Sequence, residues 1–284
     1  MGFTTNSSGG GTILRPSLVP PPSDAHKYSR GHAMVWSGPV LHTGASRLSA
    51  QAALAVGAGL VTLMGEKAAL VEQAARVTAI MLRETDMSFS CVDDRVTSCA
   101  IGPGAGASVR QAVLQILSLN VPTILDADAL TAFEGDPATL CGATRPTDVM
   151  TPHIGDFLRL FPDIPTDNRA DAARRAADRA QCVVLLKGYE TWVAAPDGRA
   201  LVNRHASPWL ATAGSGDVLT GLICGLVAQG VPAFDAASIA AWLHGDIGAR
   251  GGPSLTADNM ISHIPLVLRG CLHDASEHGS GSRT

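Results

Sequence analysis

Clustered metal or disulfide ligands are missing from this sequence. The six cysteines, Cys91, Cys99, Cys141, Cys182, Cys224 and Cys271, show no CxxC spacing, and the nine histidines form no HExxH or HxxxH pattern. Disulfide frameworks and zinc sites both need clustered side chains, so the spacing argues against both and predicts reduced, mostly buried thiols. Reduced thiols fit a cytoplasmic protein.

Aromatic and charged residues are also scarce, at 4% and 16% of the chain. The net charge is −4, and no basic run is interleaved with aromatics, which argues against nucleic acid as a partner. Apolar residues make up 46%, enough for a substantial core. Abundant Ala and Gly favour closely packed layers of helix and sheet over a β-sandwich.

Long apolar runs are absent as well. The longest uncharged apolar stretch, 218–234, is interrupted by Thr220, Gln229 and Pro232. It is too short and too polar for a membrane span, so we predict a buried helix there and no membrane partner.

The two ends of the chain differ from its middle. Residues 1–22 are rich in Gly, Ser, Thr and Pro and lack the apolar segment of a signal peptide. We therefore predict a flexible N-terminal tail over 1–24, a single domain over 25–270 and a C-terminal tail over 271–284.

From residue 33 onward, short apolar runs alternate with segments of helical periodicity. The candidate strands are 33–36, 60–64, 98–101, 121–125, 148–150, 182–186, 191–195 and 200–203. The candidate helices are 45–56, 108–119, 168–180, 216–229 and 233–250. This alternation predicts an α/β fold, a three-layer α/β/α sandwich around a mostly parallel central sheet. Asp197-Gly198 between the last two strands predicts an antiparallel hairpin at one edge.

The sharpest functional signal is the segment Ala213-Gly214-Ser215-Gly216-Asp217, directly before an apolar helix. Small residues let the backbone approach a ligand, and a helix N-terminus presents unpaired N–H groups to an anion. A simple helix cap would also account for Asp217, but a cap needs no run of small residues before it. We predict a phosphate-receiving loop with an adjacent carboxylate base.

Lys187-Gly188 follows the buried strand 182–186. A lysine in this place can extend its side chain to solvent. Followed by Gly188 and Thr191, it can instead meet the phosphate or ribose of a nucleotide, and both interpretations stay open.

Acidic residues and a histidine follow two other strands. Leu125-Asp126-Ala127-Asp128 puts two carboxylates at a strand end, where they either organise Mg²⁺ through water or cap a short helix. Thr151-Pro152-His153, with Asp156 three residues on, places His153 near the start of a helix, in a structural or a ligand-binding role. Asp156 is a further candidate for a water-mediated metal contact.

Two glycine-containing loops complete the candidates. Ile101-Gly102-Pro103-Gly104-Ala105-Gly106 is no dinucleotide fingerprint, because Ala107 occupies the third glycine position of GxGxxG. It still permits close approach of a ligand. His42-Thr43-Gly44-Ala45 begins the first long helix, and we expect it to face a ligand in a similar way.

These segments, taken in order, resemble the NAD(P)H-hydrate dehydratases of the ribokinase-like superfamily over about residues 25–269. Nine motifs carry the resemblance: His26-Lys27-Tyr28-Ser29-Arg30-Gly31-His32, Thr43-Gly44-Ala45, Gly57-Ala58-Gly59-Leu60-Val61-Thr62, Ile101-Gly102-Pro103-Gly104, Leu125-Asp126-Ala127-Asp128-Ala129-Leu130, Thr151-Pro152-His153, Leu186-Lys187-Gly188, Ala213-Gly214-Ser215-Gly216-Asp217-Val218-Leu219 and Trp242-Leu243-His244-Gly245.

The resemblance implies a ribokinase-like fold and repair of NADH hydrate and NADPH hydrate in their S form. ADP or ATP would phosphorylate the hydroxyl on the damaged nicotinamide ring, and loss of phosphate would restore the dinucleotide. Asp217 would be the catalytic base. By the same resemblance, the hydrate would be bound by Ala45, Gly104, His153 and Asp217. The nucleotide would be bound by Lys187, Gly188, Tyr189, Glu190, Thr191, Gly214, Ser215 and Gly216.

The resemblance also implies Mg²⁺ as a cofactor, a homo-oligomer (a tetramer) and functional pairing with an NAD(P)H-hydrate epimerase. Many relatives carry that epimerase as an N-terminal domain for which this chain has no room. The epimerase is therefore expected on another chain, unless the sequence has been trimmed. The choice between ADP and ATP stays open.

Two positions depart from the family pattern. Gly155-Asp156 replaces the usual Gly-Glu, which shortens the acid by one methylene, and Ser37-Gly38-Pro39 replaces the usual Gly-Gly, which removes one backbone N–H. The alternatives are a small-molecule kinase of the same fold, of the hydroxyethylthiazole kinase type, and a catalytically silent nucleotide-binding protein. A kinase would release a stable phosphate ester, whereas the dehydratase would release NAD(P)H and inorganic phosphate.

Overall fold

The computed structural model describes residues 2–4, 11–85, 89 and 92–272. Two short strands, β1 (Gly2–Thr4) and β2 (Ser17–Val19), pair with each other near the N-terminus. The remaining described strands form one large sheet: β3 (His32–Trp36), β4 (Leu60–Gly65), β5 (Met81–Glu84), β6 (Ser98–Ile101), β7 (Thr123–Leu125), β8 (Val149–Met150), β9 (Val183–Leu186), β10 (Thr191–Ala194) and β11 (Ala200–Asn203).

Helices connect most of these strands. In chain order they are α1 (Gly44–Ala55), α2 (Lys67–Ala74), α3 (Arg110–Ser118), α4 (Asp128–Thr131), α5 (Pro137–Ala143), α6 (Ile154–Leu160), α7 (Arg169–Ala180), α8 (Ser215–Ala228), α9 (Ala233–Gly251) and α10 (Ala257–Cys271). The sequence prediction missed β5, α2, α5 and α10, whereas the helix predicted to begin near His153 is confirmed as α6. Helix α10 continues through Pro265, a residue that normally ends a helix.

The strand order in the large sheet is β11-β10-β9-β8-β7-β6-β3-β4-β5. All neighbours from β5 to β9 are parallel, and β10 is antiparallel to both β9 and β11. The predicted mostly parallel sheet and the Asp197-Gly198 hairpin are thus confirmed. Chain order reverses direction between β3 and β6, and ligands of open parallel sheets bind near such a switch point, at the carboxyl ends of the strands.

Alternate strand residues enter two separate cores. Ile124 and Leu185 pack under α1, α8, α9 and α10, whereas Leu125 and Leu186 pack under α3, α6 and α7 on the other face. Both faces of the sheet are therefore apolar, which is why its strands appear in the sequence as unbroken apolar runs rather than as alternating patterns. The predicted three-layer sandwich is confirmed.

The prediction of a flexible tail over 1–24 is wrong for residues 11–19. Ile13 and Leu18 are buried in the core, and Ile13 donates its N–H to the carbonyl of Val202 on β11. Leu18 also forms a bridge with Leu272, just beyond α10. This segment covers the outer edge of β11, whose backbone groups would otherwise be unpaired. Residues 273–284, most of the predicted C-terminal tail, lie outside the described residues.

The cysteines of the described part of the chain include the free thiols Cys141, Cys182, Cys224 and Cys271, while Cys91 lies outside it. Burial raises the pKa of Cys224 to about 12, so this thiol is protonated and unreactive at neutral pH. Within the described ranges, no helix combines the length and apolar character required to cross a membrane.

Candidate active site

A cleft of about 890 Å³ opens at the carboxyl ends of β7, β8 and β9, where they meet the first turn of α8. Its lining includes Asp126, His153, Lys187, Gly216 and Asp217, which belong to four different motifs of the sequence. The parallel strands bring Asp126, His153 and Lys187 together, because each follows a strand that ends at the same edge of the sheet. The start of α8 brings Gly216 and Asp217 to that edge.

Asp217 lies in the first turn of α8, two residues after the first residue of the helix. The residue at the N-cap position of this helix is Gly214, so Asp217 is not the cap. Burial and, to a smaller extent, the negative charge of Asp126 raise the pKa of Asp217 to about 6, although the positive charge of Lys187 acts in the opposite direction. A carboxylate of this kind, ionised at neutral pH yet more basic than usual, is suited to accept a proton.

The loop before α8 requires glycine at position 214. Gly214 has a φ of 86°, in the left-handed region. A Cβ there would lie 2.7 Å from the Cβ of Ala257 and 2.8 Å from Cδ1 of Leu48. The close packing of α1 and α10 around this turn therefore fixes the start of α8, where Ser215, Gly216 and Asp217 line the cleft.

Lys187 does not extend to solvent. Its ammonium nitrogen lies 2.7 Å from Oδ1 of Asp126, and the carboxylate of Asp126 is only 1% exposed. The same nitrogen lies 3.4 Å from the position that a Cβ would occupy at Gly216. The solvent interpretation of Lys187 is therefore wrong, and its charge is held inside the cleft next to the start of α8.

His153 and Asp156 form a reciprocal cap at the start of α6. The N–H of Asp156 donates to Nδ1 of His153 at 3.0 Å, and the N–H of His153 donates to Oδ2 of Asp156 at 3.2 Å. Aspartate in place of the family's glutamate thus reaches the backbone that it caps. The His153 side chain is 57% exposed and lines the cleft.

The three carboxylates proposed for water-mediated Mg²⁺ contacts already have partners. Asp126 pairs with Lys187, Asp128 accepts the N–H of Gly106 at 2.8 Å, and Asp156 belongs to the α6 cap. In the part of the chain that the structure describes, no three His, Cys, Asp or Glu side chains are grouped to hold a metal ion. The residues present do not fit a site made of protein ligands, so a Mg²⁺ ion in this cleft would depend on phosphate oxygens and water.

The segment after β9 forms one wall of the cleft. Gly188, Tyr189 and Thr191 line it, and Tyr189 is 92% exposed. The hydroxyl of Thr191 donates to the carbonyl of Gly188 at 3.2 Å, which closes the turn. Glu190 points elsewhere, since its carboxylate pairs with Arg204 at 2.9 Å.

Ala45 and Gly104 lie together, but away from the lining of the large cleft. The position of a Cβ at Gly104 is 3.2 Å from the Cβ of Ala45. Gly104 also contacts Gly38, and Pro39 lines a second cavity of about 110 Å³ in the same region. These loops meet at the switch point between β3 and β6. The predicted substrate residues therefore form two groups, one at the switch point and one in the cleft.

Several residues of the cleft were not singled out by the sequence analysis. His244 contacts Ser215 through Nε2, which lies 2.9 Å from the Ser215 carbonyl and 3.0 Å from its hydroxyl. Burial lowers the pKa of His244 to about 4, so it is neutral at physiological pH. Asn203 donates to the carbonyl of Ala241 at 2.8 Å and joins β11 to α9. The motif Trp242-Leu243-His244-Gly245 marked this region, but only the fold brings it to α8.

Comparison with known proteins agrees with this geometry. The family model described as NAD(P)H-hydrate dehydratase matches residues 33–264. The "Bifunctional NAD(P)H-hydrate repair enzyme Nnr" of Synechocystis is 40% identical over 240 residues, which are 80% of this chain and 45% of that protein. The chain spans about half the length of the curated relatives it matches.

Solved structures give the same result. The ADP/ATP-dependent NAD(P)H-hydrate dehydratase from Bacillus subtilis, co-crystallised with ATP/Mg²⁺, superposes with a TM-score of 0.78 at 27% identity, covering 90% of this chain and 95% of that one. A ribokinase-like superfamily protein from Enterococcus faecalis has a TM-score of 0.79 at 24% identity, covering 90% and 92% of the two chains, and confirms the ribokinase-like fold. This chain belongs to the NAD(P)H-hydrate dehydratase family.

Proposed function

We propose that this chain restores NADH and NADPH from their hydrates, with ADP or ATP as the phosphoryl donor. The observation that carries the proposal is the Asp217 carboxylate at the start of α8. It has a pKa raised to about 6 and lies beside the N–H groups of a glycine-bounded turn and the Lys187–Asp126 pair. A base next to an anion-binding helix end is the arrangement that phosphoryl transfer to a hydroxyl requires.

In the proposed reaction, Asp217 takes the proton of the hydroxyl on the hydrated nicotinamide ring. The resulting oxygen attacks the terminal phosphorus of the nucleotide, and the bond from that phosphorus to the bridging oxygen breaks. The backbone N–H groups of Gly214 and Gly216, at the start of α8, stabilise the charge on the transferring phosphoryl group. The phosphate ester then eliminates: the carbon–oxygen bond breaks, the adjacent ring carbon loses a proton, and NAD(P)H and inorganic phosphate leave.

The nucleotide is placed in the large cleft, with its phosphates at Lys187 and Gly216 and its sugar against Gly188, Tyr189 and Thr191. A Mg²⁺ ion that enters with the phosphates would neutralise part of their charge. The dehydratase of Bacillus subtilis was co-crystallised with ATP/Mg²⁺, which supports the assignment of a nucleotide to this cleft. The hydrate would reach from Asp217 and His153 toward Ala45 and Gly104.

Partners of the reaction are proposed on the same basis. The curated relatives are bifunctional by name and about twice the length of the part matched here. We therefore propose that the epimerase implied by the sequence resemblance acts alongside this domain, as a separate chain or as another part of a longer protein. A homo-oligomer is also proposed, and light scattering of the purified chain measures it.

The test is incubation of the purified chain with the S form of NADH hydrate and each nucleotide in the presence of Mg²⁺. Recovery of the nicotinamide absorbance together with equimolar inorganic phosphate supports the dehydratase. A stable phosphate ester without recovered NADH would identify a kinase of the same fold. Nucleotide binding without turnover would identify a silent nucleotide-binding protein.

A further inference from the structure

Hydrogen bonds to one carboxylate, that of Asp126, join α8 to the ends of β7 and β9. Oδ1 of Asp126, after β7, accepts from Lys187 at 2.7 Å and from the N–H of Ala127 at 2.9 Å. Oδ2 of the same carboxylate accepts from the hydroxyl of Thr220 on α8 at 2.7 Å. The ammonium of Lys187, after β9, lies beside the start of α8, 3.4 Å from the position that a Cβ would occupy at Gly216.

Thr220 determines how the carboxylate of Asp126 is oriented. Thr220 is fully buried and lies three residues after Asp217, so both side chains share one face of α8. The hydroxyl of Thr220 donates to Oδ2 of Asp126, and Oδ1 of the same carboxylate is then directed at the ammonium of Lys187. Without that hydroxyl, a buried carboxylate oxygen would lose a donor, and the carboxylate would reorient to recover one.

The backbone next to Asp126 supports the same geometry. Ala127 has a φ of 48°, a left-handed value that residues with a side chain rarely adopt. Gly102 packs so closely that a Cβ there would lie 1.7 Å from the carbonyl oxygen of Asp126. A conformation this constrained persists only where the surrounding contacts enforce it, and such conformations cluster at functional sites.

These contacts hold the ammonium of Lys187 in a fixed position at the start of α8. A lysine side chain has four flexible carbons, and ordering it at a ligand costs conformational entropy. In this structure the ammonium is already held beside Gly216, where the N-terminal end of α8 also carries partial positive charge. Two sources of positive charge therefore face one point in the cleft before any anion arrives.

We propose that Thr220 is a positioning residue: through Asp126 it holds the ammonium of Lys187 beside Gly216, where it meets the phosphates of the bound nucleotide. The proposal rests on the assignment of a nucleotide to this cleft. It also gives Asp126 the role of an anchor for Lys187 in place of a water-mediated contact to Mg²⁺.

The first experiment uses the lysines as reporters and needs no ligand. The chain has three, and Lys27 and Lys67 are exposed. With an amine-reactive ester and mass spectrometry, Lys187 should react at least about tenfold more slowly than the other two, because a charge-assisted hydrogen bond holds its amine against Asp126. Thr220→Val, equal in shape, should raise the rate at Lys187 alone, and Thr220→Ser should restore protection.

The second experiment measures nucleotide binding by calorimetry. Thr220→Val should weaken the binding of ADP about 3- to 10-fold, because Lys187 stays in place and only part of its charge-assisted contact is lost. Adenosine, which has no phosphates, should bind with unchanged affinity. Thr220→Ser should recover the affinity for ADP. The matched control is Ser238→Ala, since the buried hydroxyl of Ser238 on α9 donates within its own helix, to the carbonyl of Phe234 at 2.8 Å. It should change neither measurement.

The two proposals fail in different ways. Equal reactivity of Lys187 and Lys27 in the unmodified protein, or no change at Lys187 in folded Thr220→Val, would overturn the positioning role of Thr220. Equal loss of ADP and adenosine affinity would also overturn it, because that result indicates general damage to the cleft. If the unmodified protein binds neither ADP nor ATP, the nucleotide assignment fails and the phosphate part of this proposal fails with it.

Discussion

Replacement of Asp217 by Asn separates the chemical role of this residue from a structural one. The two side chains have nearly the same shape, but the amide cannot accept the proton of a substrate hydroxyl. In the structure Asp217 is partly buried, its pKa is raised to about 6, and the cap of α8 is Gly214. The variant should therefore fold, bind nucleotide and lose turnover.

The effect on stability follows from the same pKa. The folded-state value of Asp217 lies about 2 pKa units above its ordinary value of 3.8, so ionisation of the folded protein costs about 3 kcal/mol at 1.36 kcal/mol per unit. Because Asp217 is only partly buried, screening by solvent reduces this cost to about 2 kcal/mol. Because the pKa is raised, the cost is absent below pH 3.8 and complete above about pH 6. Asp217→Asn should thus be about 2 kcal/mol more stable than the unmodified protein at pH 8, a rise of roughly 4 °C in Tm.

Both quantities are measured on one sample. Turnover should fall about 10²- to 10⁴-fold, the usual range for loss of a general base, while the gain in Tm at pH 8 should shrink as the pH approaches 4. Asp258→Asn, at an exposed acid in the first turn of α10, is the matched control and should leave turnover unchanged. Near-normal turnover of Asp217→Asn, or a lower Tm at pH 8, would refute this account of Asp217.

Lys187→Ala should weaken nucleotide binding by about 1.5–3 kcal/mol and lower Tm, because it leaves Asp126 buried without its cation; unchanged affinity by calorimetry would contradict it. The value of kcat/KM should rise about tenfold per pH unit below pH 6 and level off above it, as Asp217 loses its proton; a profile that is flat between pH 4.5 and 7 would exclude Asp217 as the base. Gly214→Ala should lower the free energy of unfolding by more than about 1 kcal/mol and reduce turnover, because its Cβ would lie 2.7 Å from that of Ala257 at a φ of 86°; a thermal melt and the absorbance assay measure both.

Much of the fold could be predicted because burial leaves a local pattern. Strands such as β9 are covered on both faces, so Val183–Leu186 appears as one apolar run, and a glycine turn marks the hairpin that follows. Elements with weaker local patterns were missed. The edge strand β5 has mostly exposed side chains, and α10 contains Pro265. The N-terminal segment was taken for a tail because its composition is polar, although the buried side chains of Ile13 and Leu18 attach it to the core.

The candidate site was predictable residue by residue but not as an arrangement. Asp126, Lys187 and Asp217 were each identified because they follow a strand or begin a helix. Their mutual contacts were not predicted, so Asp126 was left with two open roles, a metal contact or a helix cap, and Lys187 also had two. Thr220 had been noted only as a polar interruption of an apolar stretch, and nothing local distinguishes it from any threonine on a buried helix.

The sequence by itself determined the alternation of strands and helices, the small residues before α8, and the kinds of side chain at each strand end, because neighbouring residues encode these. Tertiary structure alone decided which of these side chains meet. Lys187 lies 61 positions from Asp126, and Thr220 lies 94 positions from it, yet both donate to that one carboxylate. Their contact depends on the order of strands in the sheet and on the packing of α8 across it. Both are set by burial of apolar surface throughout the domain, and not by the residues of the site.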